Sequence, residues 1–223
     1  MGEINRFTVP FWKKILSYLI EFPLETISGQ NDLPLTVCLH KGRFQLYSEQ
    51  AIYSWDDLYS QFRDVFIHLS PEIKDKKEVL LLGLGLGSIP YLLEKKMGVD
   101  AYYTAIEIDE NIIYLAEKYT LQYLNSGISA VQADALAFPF YTEEKFDLIC
   151  FDVFNDNETP LDFFSIDYFE ALKECLEPNG LLLFNVLRAQ QPPIENILSV
   201  FPNAIPFKSN ENDVWIARQV KNY

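Results

Sequence analysis

The sequence predicts an α/β fold in which a doubly wound, mostly parallel seven-stranded sheet follows a small N-terminal β domain. From residue 78 onward, short apolar runs alternate with helical patterns, as expected for a parallel sheet covered on both faces. A glycine-rich loop, Gly83-Leu84-Gly85-Leu86-Gly87, follows the first apolar run and opens a helix. The last two runs, 204–207 and 214–217, flank a polar turn and predict a closing antiparallel hairpin.

The segment 78–223 is predicted to form the larger domain. Its remaining strands are expected at 79–82, 102–106, 130–132, 148–151 and 181–186. Its helices are expected at 88–96, 110–119, 167–176 and 194–198, the third stopping at Pro178-Asn179-Gly180. Strand and helix thus alternate up to the hairpin, which favours βαβ units over an all-β arrangement.

Residues 1–70 are predicted to form the small β domain, with the boundary in the polar segment 71–77. Alternating residues over 36–47 predict a hairpin with Gly42 at the bend. The apolar run 15–27 is interpreted as strand-like, although a short helix from Pro10 fits part of it as well.

A helix is expected to close the small domain. Ser54 is a suitable N-cap, and two acidic residues follow it in the first turn. Apolar side chains then recur at helical spacing at Leu58, Phe62, Phe66 and Leu69.

The composition limits the classes of function. The chain has 223 residues, 49% hydrophobic and 22% charged, a balance typical of a globular protein. There are 32 acidic residues against 18 Lys and Arg, giving a net charge of −14. This charge disfavours nucleic-acid binding, which needs clustered cations, and is compatible with a small cationic substrate.

Other classes are disfavoured by the absence of their sequence signals. No run of 18 or more apolar residues predicts a membrane span, and polar residues interrupt the N-terminus where a signal peptide is apolar. Cys38, Cys150 and Cys175 form no disulfide or metal pattern, and a count of two histidines disfavours a His-based catalytic or metal site. We therefore expect a cytoplasmic protein without a metal site.

The carboxyl ends of the strands carry the candidate binding residues, because ligands of open α/β sheets bind there. Gly83, Gly85 and Gly87 follow the first strand, where missing side chains let the backbone approach a ligand. A tight turn without a ligand explains the same glycines. Ser88 stands where a GxGxxG dinucleotide loop has its third glycine, which disfavours an NAD-dependent oxidoreductase.

Acidic residues follow the next two strands. Glu107 lies at the distance from Gly83 expected of a ribose ligand, and Ile108 belongs to the same predicted cofactor site. Asp134, with Ala135 beside it, can accept a hydrogen bond from an adenine amine. Asp134 serves equally well as a turn cap.

Asp152, the candidate catalytic residue, directly follows the fourth strand of the alternating segment. An acid at this position can act as a base or orient an amine. Asp156 follows on the loop as a candidate substrate-binding residue. A solvated acidic loop is the alternative interpretation.

Together these residues resemble the class I S-adenosylmethionine-dependent methyltransferase fold over about residues 78–218. Within that fold the chain looks most like the spermidine synthase family, on the stretches 105–109, 146–147 and 164–180. The resemblance implies a Rossmann-like domain that binds S-adenosylmethionine or its decarboxylated form, without a metal. It also implies a small N-terminal β domain of the kind that often helps to assemble a homodimer.

The chain departs from the spermidine synthase pattern at the expected amine site. Leu86 replaces an acid of the glycine loop, and Asp152-Val153-Phe154-Asn155-Asp156 replaces Asp-Ser-Ser-Asp-Pro. The family's Tyr-His-Glu helix start has no histidine counterpart near 54–60. These departures favour a methyltransferase, which needs few catalytic side chains beyond those that orient the substrates. Aminopropyl transfer to a polyamine and a non-catalytic nucleoside-binding module remain the alternatives.

Overall fold

The computed structural model describes residues 7–29, 34–48, 52–154, 158–209 and 212–220, which form two β-sheets. The smaller sheet is antiparallel, has four strands in the order β1-β2-β3-β4, and follows a short helix, α1 (Phe11–Leu16). Its strands are β1 (Phe22–Ser28), β2 (Pro34–His40), β3 (Arg43–Tyr47) and β4 (Ile52–Ser54). The predicted hairpin is confirmed as β2–β3, with Gly42 in the left-handed region at φ +73°.

The larger sheet has seven strands in the order β10-β11-β9-β8-β5-β6-β7. They are β5 (Glu78–Leu82), β6 (Tyr102–Glu107), β7 (Ile128–Gln132), β8 (Phe146–Phe151), β9 (Leu176–Leu187), β10 (Ile205–Ser209) and β11 (Asn212–Arg218). β5 to β9 are parallel, whereas β11 runs antiparallel to both β9 and β10. The predicted α/β fold class is confirmed.

Helices cover both faces of the larger sheet. They are α2 (Ser60–His68), α3 (Ser70–Ile73), α4 (Ser88–Tyr91, continued by a π-helical turn to Met97), α5 (Glu110–Tyr119), α6 (Ile166–Cys175) and α7 (Glu195–Val200). One core contains side chains of α2 and α4, and the opposite core contains those of α6 and α7. Successive residues of β5 alternate between the two cores, as the strand period requires.

α5 joins the two sheets. Leu115 and Tyr119 pack with Val37 and Leu46 of the small sheet, and Ala116 packs in the core beneath α2 and α4. α2 itself packs entirely in the core of the larger sheet through Phe62, Val65 and Phe66. The division into domains at 71–77 stays a prediction.

Three predictions about local structure were wrong in detail. The run 15–27 is not one strand, because a helix begins after Pro10 and a strand follows only from Phe22. Proline suits the position before a first helical turn, so its fixed φ favours the helical alternative. The third predicted helix ends at Cys175, and Pro178-Asn179-Gly180 lies inside β9 as an irregularity, with Asn179 at φ +69°.

Ser54 does not cap a helix. It is the last residue of β4, and its hydroxyl lies 2.6 Å from that of Ser88. A 3₁₀ turn, Asp56–Leu58, intervenes before α2 begins at Ser60. The tertiary partner of Ser54 therefore outweighs its local capping preference.

In the described part of the chain, no helix is long and apolar enough to cross a bilayer.

Candidate active site

The chain reverses its direction of progress across the sheet at β5, which lies between β8 and β6. Such a switch point opens a crevice at the carboxyl ends of the strands. The loops after β5 and β8 meet there: an added Cβ at Gly83 would lie 2.4 Å from the backbone oxygen of Asp152. Gly83 also has φ +91° and donates its N–H to the Ile106 oxygen at 2.9 Å. Glycine is therefore required at this position by packing and by backbone conformation.

The remainder of the glycine loop is tied to the N-terminal segment. An added Cβ at Gly85 would lie 3.1 Å from the Tyr53 oxygen. The Ser88 hydroxyl accepts the Trp55 N–H at 3.1 Å, beside its contact with Ser54. The end of β4 and the residue that follows it thus form one wall of the loop.

Glu107 fixes the backbone on both sides of the crevice. Its Oε2 accepts the Leu84 N–H at 3.1 Å, and its Oε1 accepts those of Ile108 and Asp109 at 2.9 and 3.2 Å. Burial raises the pKa of Glu107, and these backbone hydrogen bonds act in the opposite direction. Asp109 caps α5 by accepting the Asn111 N–H at 2.9 Å.

Asp134 follows β7 with its carboxylate exposed. Its Oδ1 accepts the Leu136 N–H at 2.8 Å, so the side chain does close a turn. Ala135 is buried beside it, and its carbonyl accepts the Tyr168 hydroxyl at 2.9 Å. Asp134 therefore caps the turn through one carboxylate oxygen, and the residue remains exposed to solvent.

Asp152 follows β8 and is held on two sides. The Tyr59 hydroxyl lies 2.9 and 2.8 Å from its two carboxylate oxygens, and Asn185 Nδ2 donates to Oδ1 at 2.8 Å. Burial raises the pKa of Asp152 to about 6, whereas the bonds from Asn185 and Tyr59 lower it. The residue as a whole is half-buried. It is therefore a carboxylate that can exchange a proton close to neutral pH.

The structure thus brings the predicted residues Gly83, Gly85, Gly87, Glu107, Ile108, Asp134, Ala135 and Asp152 to the carboxyl ends of β5 to β8. Their individual roles stay predictions. Asp156 lies outside the described residues. Among the residues described, no three His, Cys, Asp or Glu side chains are grouped closely enough to hold a metal ion.

Two residues of the site were missed by the sequence analysis. Tyr59 lies before α2, and nothing in its local pattern connects it with Asp152. Asn185 did carry a signal, because it is a lone amide in the apolar run 181–186. A buried polar side chain in such a strand needs a partner, and at the end of a parallel strand that partner is often in the site.

A family model described as a methyltransferase domain matches residues 73–216. The chain belongs to this family of methyltransferase domains.

Curated relatives fall into two groups. An eEF1A lysine and N-terminal methyltransferase homolog from Drosophila pseudoobscura pseudoobscura is 28% identical and covers 64% of this chain and 23% of its own. A probable polyamine aminopropyl transferase from Bifidobacterium longum is also 28% identical and covers 52% of this chain and 26% of its own. The chain therefore spans about a quarter of the length of either relative.

Solved structures show the same two groups. A probable spermidine synthase from Corynebacterium glutamicum superimposes with a TM-score of 0.70, at 14% identity, over 89% of this chain and 81% of its own. Human methyltransferase-like protein 13, in complex with SAH, gives a TM-score of 0.60 at 19% identity over 72% of this chain and 82% of its own. These likenesses establish the fold, and they reach the small sheet in the first case.

Proposed function

We propose that this protein is an S-adenosylmethionine-dependent methyltransferase whose acceptor is an amine nitrogen. One observation carries the proposal: Asp152, a half-buried residue whose carboxyl pKa is raised to about 6, lies in backbone contact with the glycine loop. A base next to a nucleoside site is suited to a nucleophile that loses a proton on transfer.

The residues of the crevice fit the nucleoside. We assign its binding to the backbone of Gly83, Gly85 and Gly87, to Glu107 and Ile108, and to Asp134 and Ala135. Glu107 is the ribose ligand in this assignment, since its carboxylate is already fixed by three backbone donors. Asp134 offers an open acceptor for the adenine amine. When bound, S-adenosylmethionine supplies an electrophilic methyl group on a sulfonium.

Asp152 performs the remaining chemistry of the chain. An amine attacks as the neutral base, forms its new N–C bond as the C–S bond breaks, and then carries one proton in excess. Asp152 accepts that proton, or holds the ammonium before attack, without forming a covalent bond itself. Tyr59 and Asn185 fix the carboxylate in one orientation for this step.

The names of the relatives support an amine acceptor. One group is described as acting on lysine and N-terminal positions, and the other on polyamines. Both descriptions share an amino nitrogen as the receiving atom. The net charge of −14 is also compatible with a cationic acceptor. We therefore assign the acceptor to cationic amines as a class.

Aminopropyl transfer from decarboxylated S-adenosylmethionine is the second candidate. The fold likeness to a spermidine synthase, which covers 89% of this chain, favours it. Val153 and Phe154 oppose it, because they place apolar side chains directly after Asp152. A diamine that enters a cleft loses hydration at both ends and needs a fixed carboxylate for each.

Calorimetry followed by a transfer assay tests the proposal. We expect S-adenosylmethionine to bind and NAD and putrescine not to bind. Radiolabelled methyl transfer is then measured to a lysine-containing peptide, where we expect it, and to putrescine, where we do not. Asp152→Asn should abolish transfer while nucleoside affinity stays within a few fold, because the amide cannot accept the proton.

Asp147→Asn is the matched control. Asp147 lies near the start of β8, at the end of the strand opposite to Asp152, where it accepts the N–H groups of Lys77 and Glu78. Transfer should survive in this variant. Spermidine formation from putrescine and decarboxylated S-adenosylmethionine would show that aminopropyl transfer, and not methyl transfer, is the activity of the protein. Nucleoside binding without any transfer would favour a binding module, and binding of NAD alone would exclude the proposal.

A further inference from the structure

Asn212 is joined to the candidate active site by a short chain of hydrogen bonds. Its Nδ2 donates to Oδ1 of Asn185 at 2.9 Å, and Asn185 Nδ2 donates in turn to Asp152 at 2.8 Å. Both amides are buried, Asn185 completely. Asn185 belongs to β9 and Asn212 is the first residue of β11, the neighbouring strand. Within the described residues, these hydrogen bonds connect Asn212 to Asp152 through Asn185.

The orientation of the Asn185 amide decides how it affects Asp152. In the orientation present, its N–H₂ group donates to the carboxylate. If the amide were turned over, its oxygen would face the carboxylate oxygen and oppose the negative charge. A donor on the far side of Asn185 favours the first orientation, and Asn212 supplies that donor.

This orientation matters because neutral groups hold the Asp152 carboxylate. Among the described residues, its two side-chain partners are Tyr59 and Asn185. Of the titratable groups in the same part of the chain, Tyr59 and Cys150 are affected by its charge, and burial raises the pKa of both well above the usual range. Both are uncharged at neutral pH. The negative charge is thus stabilised by hydrogen-bond donors, each of which contributes directly to the proton affinity.

The start of β11 is itself anchored. Arg188 Nη2 donates to the backbone oxygen of Asn212 at 3.2 Å and to Oδ1 of Asp213 at 2.7 Å. The antiparallel pairing of Asn212 with Leu187 fixes the same point from the strand side. Asn212 therefore presents its side chain to Asn185 from a held backbone.

We infer that Asn212 is a positioning residue for the transfer reaction: through Asn185, it keeps a donor amide against the carboxylate that receives the proton of the amine. The inference rests on the function proposed above for Asp152. The effect of Asn212 on the proton affinity of the Asp152 carboxyl group can, however, be measured without any transfer reaction.

The first experiment follows the Asp152 carboxyl by NMR in protein labelled with ¹³C at the aspartate carboxyl carbon. Loss of one signal in Asp152→Asn assigns it. Asn185→Leu removes the donor at nearly constant volume and should raise the Asp152 pKa by about one unit, a tenfold rise in proton affinity. Asn212→Leu should shift it in the same direction by about half a unit. Asn212→Ala provides the same test if the leucine variant does not fold.

The double variant Asn185→Leu/Asn212→Leu separates the proposed route from a general effect. If Asn212 acts through Asn185, the double variant should titrate like Asn185→Leu alone, since coupled residues are not additive. Asn203→Leu is the control, because Asn203 bonds the backbone of Arg218 at the other end of β11. It should leave the Asp152 titration unchanged.

The pH dependence of kcat should change together with the pKa of Asp152. The acid limb of kcat against pH should shift upward by the same amount in Asn212→Leu, with unchanged affinity for S-adenosylmethionine. An unshifted Asp152 titration in Asn212→Leu, or an equal further shift in the double variant, would overturn the inference. Absence of transfer with every acceptor would count against the proposed function alone, because the titration is independent of it.

Discussion

The hydroxyl group of Tyr59 lies 2.9 and 2.8 Å from the two carboxylate oxygens of Asp152, although 93 positions separate the residues in the chain. Tyr59 is buried immediately before α2, with its ring stacked on Phe62 at 6.2 Å between centroids. The N-terminal part of the chain thus completes the site at the switch point of the larger sheet. Its contribution is a neutral donor, because burial holds the Tyr59 pKa well above its usual range.

Tyr59→Phe should weaken the proposed base without removing it. The variant loses a donor to the ionised carboxyl, so the Asp152 pKa should rise above about 6. The acid limb of kcat then moves to higher pH, and a pKa rise of about one unit should lower kcat at pH 7 by roughly twofold, with a larger loss at pH 6. Steady-state assays from pH 5 to 9 measure the shift.

The control is the same substitution, tyrosine to phenylalanine, at the exposed Tyr141. Tyr141→Phe should leave the pH profile in place. Equal profiles for Tyr59→Phe and the unmodified protein would show that the hydroxyl does not affect the reacting carboxyl.

Glu107→Gln should reduce S-adenosylmethionine affinity. One carboxylate oxygen becomes an N–H₂ group that faces a backbone donor, either that of Leu84 or those of Ile108 and Asp109. The predicted ribose contact also loses its charge, and we expect a loss of about 1–3 kcal/mol in binding. Calorimetry measures it directly. Glu110→Gln, on the exposed first turn of α5, should bind normally, and equal affinities for the two variants would remove Glu107 from the site.

The sequence was sufficient for the parts of the fold that depend on local pattern. The apolar run 79–82, the loop Gly83 to Gly87 and the helix 110–119 all appear where they were expected. Each combines a clear period with a local start or stop signal. The acidic strand ends followed from the same pattern, because parallel strands bring their carboxyl ends to one edge of the sheet.

The parts that failed depend on contacts between distant residues. Ser54 carries a good capping signal, yet its hydroxyl contacts Ser88, 34 positions away. The bonds from Tyr59 and Asn185 to Asp152 are likewise long-range and have no local period. Such contacts are decided by how elements pack, so a single sequence indicates them only through an isolated polar residue such as Asn185.

Gly83→Ala should disturb the site more than its backbone conformation alone explains. Its Cβ would lie 2.4 Å from the Asp152 oxygen, whereas Gly98, at φ +69°, has no atom within 4 Å of an added Cβ. Both variants carry the strain of a left-handed alanine, about 1–2 kcal/mol. The excess destabilisation of Gly83→Ala over Gly98→Ala in urea unfolding therefore measures the clash. We expect Gly83→Ala to be the less stable of the two variants and the only one that loses transfer. Equal stabilities would show that the loops after β5 and β8 can move apart to accommodate the added Cβ.

Asp56 and Asp57 are adjacent acids that should respond to pH in opposite ways. Asp56 is buried, accepts the Phe44 N–H at 3.1 Å, and has its pKa raised to about 7, mainly by burial. Asp57 is paired with Arg43 and Lys96, and its hydrogen bond with Arg43 leads the effects that lower its pKa to about 2. One carboxyl is therefore destabilising when ionised, and the other is stabilising.

The sign of each effect follows from proton linkage. The ordinary pKa of either acid is 3.8, so folding holds a proton on Asp56 that the unfolded chain has released between about pH 4 and 7. Its contribution to stability therefore falls as the pH rises through that window. Asp57 contributes stability above about pH 4, which is lost as the pH falls toward 2.

Asp56→Asn should therefore raise the melting temperature, and more at pH 8 than at pH 5. The amide stays neutral, its oxygen can still accept the Phe44 N–H, and asparagine tolerates the positive φ of +37° at this position. We expect a gain of roughly 1–4 kcal/mol at pH 8 from the removed ionisation cost. Asp57→Asn, one position away, should instead lower the melting temperature at pH 7, because Arg43 and Lys96 lose their shared partner. Thermal unfolding of both variants at pH 5 and 8 measures the pair, and a loss of stability at pH 8 in Asp56→Asn would show that its carboxylate is stabilising when ionised.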